Sequence, residues 1–366
     1  MTRSIRHLAV LVMFAFAIGA AAQQPTSATS AVPAERLERL TRGINLSHWM
    51  AQTGVTPERI RSYITAADAR RIRRMGFRHV RLTVDGAWLM LEGTPSWLPA
   101  ERLALFDEGV RMMREAGLAV IVDIHPEDDF KRRLRDDPAF VDAFVTFWKT
   151  LATHLDRTTD PEWVFLEVLN EPVMATDVWQ PIQRRGVKAM RAGAPRHTII
   201  VSGGEWSSIE QLQQIQPLDD PNIVYNFHFY EPGTFTHQGA NWGYEKWQLL
   251  RSLPYPSTPE NVEPALQGVQ DDEVRWMIRK YGEERWNAER IRAQIEKAVE
   301  WSRAHGGLPL TCNEFGTYAT YAPRMARLNW LRDVREALEA AGIGWAMWDY
   351  AGGFGVVTGQ NPATRR

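Results

Sequence analysis

A closed barrel of eight parallel strands alternating with helices, the (β/α)8 TIM barrel, is the fold class this sequence predicts. Three observations predict it. First, one pattern recurs: an amphipathic helix, a glycine able to cap it, then a short apolar run ending in a polar residue. Met75-Gly76-Phe77 leads to the run 80–85, Ala116-Gly117-Leu118 to 120–125, Gly306-Gly307-Leu308 to the run ending at Glu314, and Ala341-Gly342-Ile343 to 344–348. A glycine just past a helix is its usual left-handed cap. Second, the runs are almost wholly apolar, as in parallel strands buried on both faces. Third, eight such runs alternate with helical segments over roughly 320 residues, the size of a single α/β barrel.

Taken in order, the strands are expected near 43–47, 78–84, 118–124, 163–169, 198–202, 222–228, 309–313 and 343–348. Helical spacing places Leu103, Phe106, Val110 and Met113 on one face, and Ile291, Ile295, Ala298 and Val299 on another. An open doubly wound sheet is the competing architecture, but no Gly-x-Gly-x-x-Gly follows the first strand. Residues 231–286 are too long for a simple βα connection and carry Pro232, Gly233, Pro254, Pro256, Trp242, Trp247 and Trp276. They read as a long insertion after the sixth strand, on the strand C-terminal face, walling or covering the site.

The N-terminus reads as export machinery. Arg3, Arg6 and His7 precede an apolar stretch at 8–18 and a small-residue cleavage site, Ala20-Ala21-Ala22, so residues 1–22 are expected to be a signal peptide. The apolar stretch is too short to span a membrane comfortably. A Ser/Thr/Ala/Pro-rich spacer, disordered over 23–36, then leads to a single catalytic barrel over 37–366. The protein is expected to be secreted or periplasmic, monomeric, and free of the membrane once the signal is cleaved. With 43 basic against 44 acidic residues, no charge excess points to nucleic acid. The single cysteine, Cys312, lies within an apolar run and reads as a small buried hydrophobe. Fifteen tryptophans exceed what a core of this size needs, and flat aromatic faces stack well on sugar rings.

The chemistry is written at two strand ends. Phe165-Leu166-Glu167-Val168-Leu169-Asn170-Glu171-Pro172 and Leu310-Thr311-Cys312-Asn313-Glu314-Phe315-Gly316 each carry a glutamate after an asparagine where an apolar run should stop. Ionised glutamates are rarely buried without partners. Two of them brought to one cleft are the apparatus of glycoside hydrolysis. Polar residues at barrel strand ends converge on one site, and here they are Arg81, His125, Asn170 with Glu171, Trp206, His228 and Tyr230, Glu314 and Trp348. Asp123 and Glu167 alternate with His125 and Glu171 and are expected to be deeper structural acids. The acidic cluster Glu127, Asp128, Asp129 and the charged stretch 131–137 read as solvated loop and exposed helix.

In the order they occur, Arg81 in Val80-Arg81-Leu82, His125 in Asp123-Ile124-His125, Leu169-Asn170-Glu171-Pro172, His228-Phe229-Tyr230, Asn313-Glu314-Phe315-Gly316 and Trp348 make the chain resemble glycoside hydrolase family 5, the cellulase family of retaining barrel glycosidases. The resemblance implies that Glu171 is the acid/base and Glu314 the nucleophile. It further implies that Arg81 and Tyr230 support the charge of Glu314 and that Asn170 holds the sugar 2-hydroxyl. His125 and His228 would orient substrate and carboxylates, and Trp348 would be the stacking floor beside the scissile bond. His48, Trp49, Trp206 and Trp242 are further candidate sugar platforms.

The substrate implied is a β-glucan polysaccharide or oligosaccharide, with endo-β-1,4-glucanase as the leading activity. The first strand, Arg42-Gly43-Ile44-Asn45-Leu46-Ser47-His48-Trp49, also resembles members that cut β-1,3-glucans or mannans, so those activities stay open. A non-catalytic sugar-binding barrel is the other class, weakened by the presence of both carboxylates. No cofactor is expected. No metal is expected either, because neither His-x-His nor His-Glu-x-x-His spacing occurs.

Overall fold

The computed structural model describes residues 31–94 and 97–358. Eight parallel strands close into a barrel in sequence order: β1 Gly43–Asn45, β2 His79–Val84, β3 Ala119–Ile124, β4 Val164–Glu167, β5 Ile199–Ser202, β6 Ile223–Phe229, β7 Leu310–Phe315 and β8 Gly344–Met347. β8 pairs with β1, as Gly43 opposite Ala346, which closes the ring. The major helices packed outside include Ala100–Glu115, Pro138–Thr158, Thr176–Gly193, Ala288–Ala304 and Arg324–Ala340.

Period-two alternation sorts every strand into two faces. Ala119 and Ile121 of β3, Phe165 of β4, Ile200 of β5 and Val224 of β6 form an inner apolar plug with Leu40. Their neighbours Val120, Val122, Leu166, Val201, Tyr225 and Phe227 join the larger core between strands and helices. Because both faces are covered, the strands read as continuous apolar runs, which is why their number was legible. The helix Ala34–Arg39 caps the barrel floor, with Arg36 buried and hydrogen-bonded to Glu162 at 2.8 Å. Residues 34–36 therefore belong to the folded body and not to a spacer; the capping role of Arg36 and Leu40 depends on contacts far away in sequence. The expected leader, residues 1–22, and residues 23–30 lie outside the described residues. Among the described residues, no helix is long and apolar enough to cross a membrane.

Three strands end two residues away from the expected boundary: β1 stops early at Asn45, and the other two, β4 and β7, lie at the candidate site. β4 stops at Glu167, so Asn170 and Glu171 project from a loop; the Asn170 N–H donates to the Ile124 carbonyl at 2.8 Å. β7 runs on through Glu314, and the β6–β7 register slips between Phe227 and His228. A bulge adds a residue and breaks the alternation. Asn313 and Glu314, adjacent in sequence, consequently both reach polar partners inside the barrel.

Between β6 and the helix Ala288–Ala304 the chain forms short helices at Gly233–Thr236 and Pro259–Val262 and a longer one at Asp272–Glu283. This segment has apolar contents of its own, with Phe235 stacked on Tyr281 at 6.2 Å and packed on Tyr255 at 5.6 Å. It is fastened to the helix Arg324–Ala340, where Tyr255 donates to Asp333 at 2.9 Å and the Trp330 indole donates to the Glu231 carbonyl at 3.1 Å.

At the barrel floor, glycine is obligatory at position 43. A Cβ there would lie 2.0 Å from Nε2 of the buried His79 ring, whose Nδ1 is held by the Arg39 carbonyl at 3.0 Å. Gly43→Ala should therefore cost about 1–3 kcal/mol, and much less in a chain already carrying His79→Ala. A double-mutant cycle in denaturant measures this coupling; strictly additive losses would show that the imidazole is not the obstacle.

Candidate active site

Above the apolar plug the inward positions turn polar, and one side chain organises them. Arg81 of β2 is fully buried and uses all five of its N–H donors. Nε and Nη2 form a fork onto Glu167 of β4 at 2.8 and 2.9 Å. Nη1 donates to Asn45 of β1 at 3.1 Å and to Glu314 Oε1 at 2.5 Å. The second Nη2 hydrogen reaches Asn170 Oδ1 at 2.9 Å, and Asp123 lies 3.1 Å from the same nitrogen. Asn313 and Asn226 complete the shell of Glu167 at 2.7 and 3.2 Å. Asp123 and Glu167 are thus buried structural acids. Burial alone would lower the Arg81 pKa, but Asp123, Glu167 and Glu314 together hold it well above the ordinary value.

The two glutamates singled out in the sequence meet at the mouth of the barrel. One carboxyl oxygen each of Glu171 and Glu314 and one ring nitrogen of His228 lie within 4.8 Å of one another. The Glu314 carboxylate receives Arg81 on Oε1 and the Tyr230 hydroxyl on Oε2 at 2.9 Å. Glu171 sits opposite, its side chain 22% exposed, with Oε1 2.8 Å from His228 Nδ1. Its φ of 42° is a conformation that a β-carbon disfavours, and such strain tends to persist where surrounding contacts impose it.

Hydrogen-bond logic fixes both imidazoles. The Asn313 N–H donates to Asn226 Oδ1, so the Asn226 amide nitrogen must face His228 Nε2, 3.3 Å away. His228 then accepts on Nε2 and carries its proton on Nδ1, aimed at Glu171 and, at 3.6 Å, at Glu314. Asn170 repeats the device: Oδ1 is taken by Arg81, so its amide nitrogen faces His125 Nε2 at 3.2 Å, and His125 Nδ1–H points to Asp123 at 2.8 Å. Burial keeps both rings neutral, lowering His228 to about 4 and His125 to about 3. A metal ion at the Glu171–His228–Glu314 trio would need a bare Nδ1, whereas in this tautomer that atom is a donor.

Burial pushes Glu171 above the usual carboxylate range, against the opposing charges of Lys131 and Arg81. Burial likewise raises Asp123, to about 7. The Tyr230 hydroxyl stands well above its ordinary value, through burial and the Glu314 charge.

Trp348 lies on one wall, its ring parallel to His125 at 5.5 Å and 15°. Trp206 is 64% exposed beyond β5, and its backbone N–H donates to the Pro172 carbonyl, so it flanks the Glu171 loop. Trp242 is 45% exposed and meets Tyr318 edge-on at 4.8 Å. His48 is half-buried, its Nδ1 2.8 Å from Ser47 Oγ. Trp49 is a correction: it is fully buried, its indole N–H donates to the Ile60 carbonyl, and no face is left for a sugar. The helix Pro57–Ser62 covers it, and nothing local in the sequence announces that packing.

Sequence reasoning also passed over residues that stand at the site. Phe354, beyond β8, packs against Tyr230 at 6.1 Å and Tyr318 at 5.6 Å. Lys131 lies in the stretch expected to be exposed, yet its side chain is 7% exposed, 3.8 Å from Asp128. The helix Asp128–Asp136 buries Phe130, Lys131 and Leu134 together. Leu134 stands four residues after Phe130 and three after Lys131, the spacing of one helix face; that was the available signal, and the surrounding charges masked it.

The sequence profile of "Cellulase (glycosyl hydrolase family 5)" matches residues 40–353. Endoglucanase C of Acetivibrio thermocellus is 30% identical over 316 residues, covering 84% of this chain and 90% of that one. Endoglucanase 3 of Fibrobacter succinogenes is 27% identical over 350 residues, covering 90% of this chain and 52% of that one. Among solved structures, Thermotoga maritima Cel5A in complex with cellobiose superposes with a TM-score of 0.71 at 27% identity, covering 88% of this chain and 94% of that one. The same enzyme in complex with mannotriose gives 0.70 at 26% identity, with the same coverage.

The electrostatics yield a test of the buried lysine. Lys131→Met removes a positive charge that acts against the burial of Glu171, so the Glu171 pKa should rise further above the usual carboxylate range. Carboxyl 13C shifts of a glutamate-labelled sample would follow that titration; an unmoved midpoint would place the Lys131 charge out of reach.

Proposed function

Because the chain belongs to glycosyl hydrolase family 5, the cellulase family, and is a glycosyl hydrolase, we propose that it cleaves internal β-1,4 linkages of β-glucan by double displacement. The observation that carries the mechanism is the close approach of Glu171 and Glu314, with one carboxyl oxygen of each within 4.8 Å of the other. Retaining glycosidases keep their carboxyl groups about 5–5.5 Å apart, whereas inverting enzymes need about 6.5–9.5 Å to seat a water.

In the first step a Glu314 oxygen attacks the anomeric carbon as the bond to the leaving oxygen breaks, and Glu171 gives that oxygen its proton. A glycosyl ester on Glu314 results. Glu171, now a carboxylate, takes a proton from water as that water attacks the same carbon and releases Glu314. Two inversions restore the original configuration. Arg81 and Tyr230 orient the Glu314 carboxylate, and neutral His228 holds Glu171 on the opposite side. Asn170, fixed between Arg81 and His125, is placed for the 2-hydroxyl, and Trp348 for the sugar face.

Endoglucanase relatives support the glucan reading. β-Mannan is the second reading, favoured by the neighbour solved with mannotriose. The basic start and apolar run of residues 1–22 support export of the enzyme.

Several outcomes test this assignment. Glu314→Ala should abolish turnover and, with azide, yield a glycosyl azide; undiminished hydrolysis would remove Glu314 as nucleophile. Glu171→Ala should lose roughly 10²–10⁴-fold on polysaccharide but far less on aryl glycosides with good leaving groups. Equal losses on both would refute its acid role. Since Glu171 must begin protonated, kcat/KM should fall as pH rises through its elevated pKa. Product analysis on carboxymethyl cellulose, mixed-linkage glucan, laminarin and mannan decides the polymer, and NMR of the first-formed anomer should show retention.

A further inference from the structure

The segment between β6 and the helix Ala288–Ala304 carries aromatic rings that the catalytic cleft does not use. Trp276, on the helix Asp272–Glu283, is 57% exposed, and Tyr244 is 41% exposed. Both line one depression of about 350 Å³ together with Thr234, Glu273, Lys280 and Glu284. Trp276 also borders an adjoining hollow of about 670 Å³ on the other flank of its helix. An indole this exposed forgoes the burial that normally stabilises tryptophan, so the position asks for another explanation.

Two features say what would cover it. The polar groups around the rings are of both signs: Lys280 stands 4.9 Å from the Trp276 ring centre, and Tyr244 donates to Glu273. Interspersed charges of that kind suit an uncharged ligand rich in hydroxyl groups better than an anion or a cation. The rings are also continuous with the catalytic cleft. Tyr230, whose hydroxyl holds Glu314, meets His237 at 5.1 Å; His237 stacks on Trp247 at 4.4 Å; Trp247 meets Tyr244 at 6.2 Å. An aromatic row thus leads from the nucleophile to the depression that Tyr244 shares with Trp276.

We infer that Trp276 and Tyr244 form a second carbohydrate-binding site, which holds a distant stretch of the β-glucan chain whose other part lies between Glu171 and Glu314. The site rests on the glucan reading above and deepens it. Lys280 engages the Trp276 indole, and with 57% of the residue exposed the ring has surface to offer a pyranose; hydroxyls of that sugar meet Glu273, Thr234 and Glu284. Short substrates fill the cleft alone and never reach this helix, so the site distinguishes polymer from oligomer.

The test compares Trp276→Ala with the unaltered full chain. Retardation in gels containing soluble mixed-linkage β-glucan should weaken, and KM on that polymer should rise, by about three- to tenfold. kcat and KM on an aryl β-cellobioside should stay as they were, and Tyr244→Ala should move polymer binding in the same direction. Unchanged polymer retardation and KM in an enzyme that cuts the glucan would overturn the site while leaving the functional reading intact. Equal losses on polymer and aryl cellobioside would also overturn it, because Trp276 would then be supporting the fold. A wild-type enzyme that cuts no β-glucan at all would instead overturn the functional reading, and the ligand assigned here with it.

Discussion

One buried guanidinium sets the geometry on which the rest of the site depends. Arg81 joins β1, β4, the loop after β4 and β7 through its five hydrogen bonds, and it stands against β3 through Asp123. Removing one partner from such a buried network leaves uncompensated charge and costs about 3–5 kcal/mol. A lysine has three donors from a single point and could not reproduce the planar fork onto Glu167. Three carboxyl groups surround this single cation, and burial relieves the excess by raising Asp123 and Glu167 toward their neutral forms. The charge balance of the barrel centre therefore depends on protons as much as on partners.

From that centre, orientation passes outward through amides. Asn170 and Asn226 each have one end fixed, by Arg81 and by the Asn313 N–H, so the other end assigns a tautomer to the histidine it faces. The two imidazoles stay neutral because their surroundings are too dry to favour a charge. His228 can then donate a proton-bearing Nδ1 to Glu171 without contributing positive charge, while Lys131 supplies a moderating positive field from the other side. A carboxyl raised by burial, even when restrained by a cation, keeps its proton to higher pH than a solvated glutamate does.

The segment after β6 extends the same construction toward solvent. It has apolar contents of its own and is anchored to the helix Arg324–Ala340, so it is a firm wall and not a loosely attached cover. Its N-terminal part is tied to the loop after β7, where the Tyr318 N–H donates to the Thr236 carbonyl at 2.8 Å. The aromatic residues it carries are consequently held in a fixed relation to Glu314.

The sequence by itself determined the barrel and the residues at its mouth. Strands buried on both faces must be apolar throughout, and a glutamate at the end of such a run must find a partner, so eight runs and two glutamates were visible without coordinates. Arg81, His125, Asn170, His228, Tyr230 and Trp348 were visible for the same reason, as polar or aromatic interruptions at strand ends. What only the tertiary structure decided depends on contacts between distant residues. Trp49 looked like a platform but is covered by a helix; Lys131 looked solvated but is buried beside Asp123, His125 and Glu171; the Ala34–Arg39 helix looked like spacer but caps the floor. Local sequence carries hydropathy and periodicity, and neither quantity records which distant surface will come to lie against a given side chain.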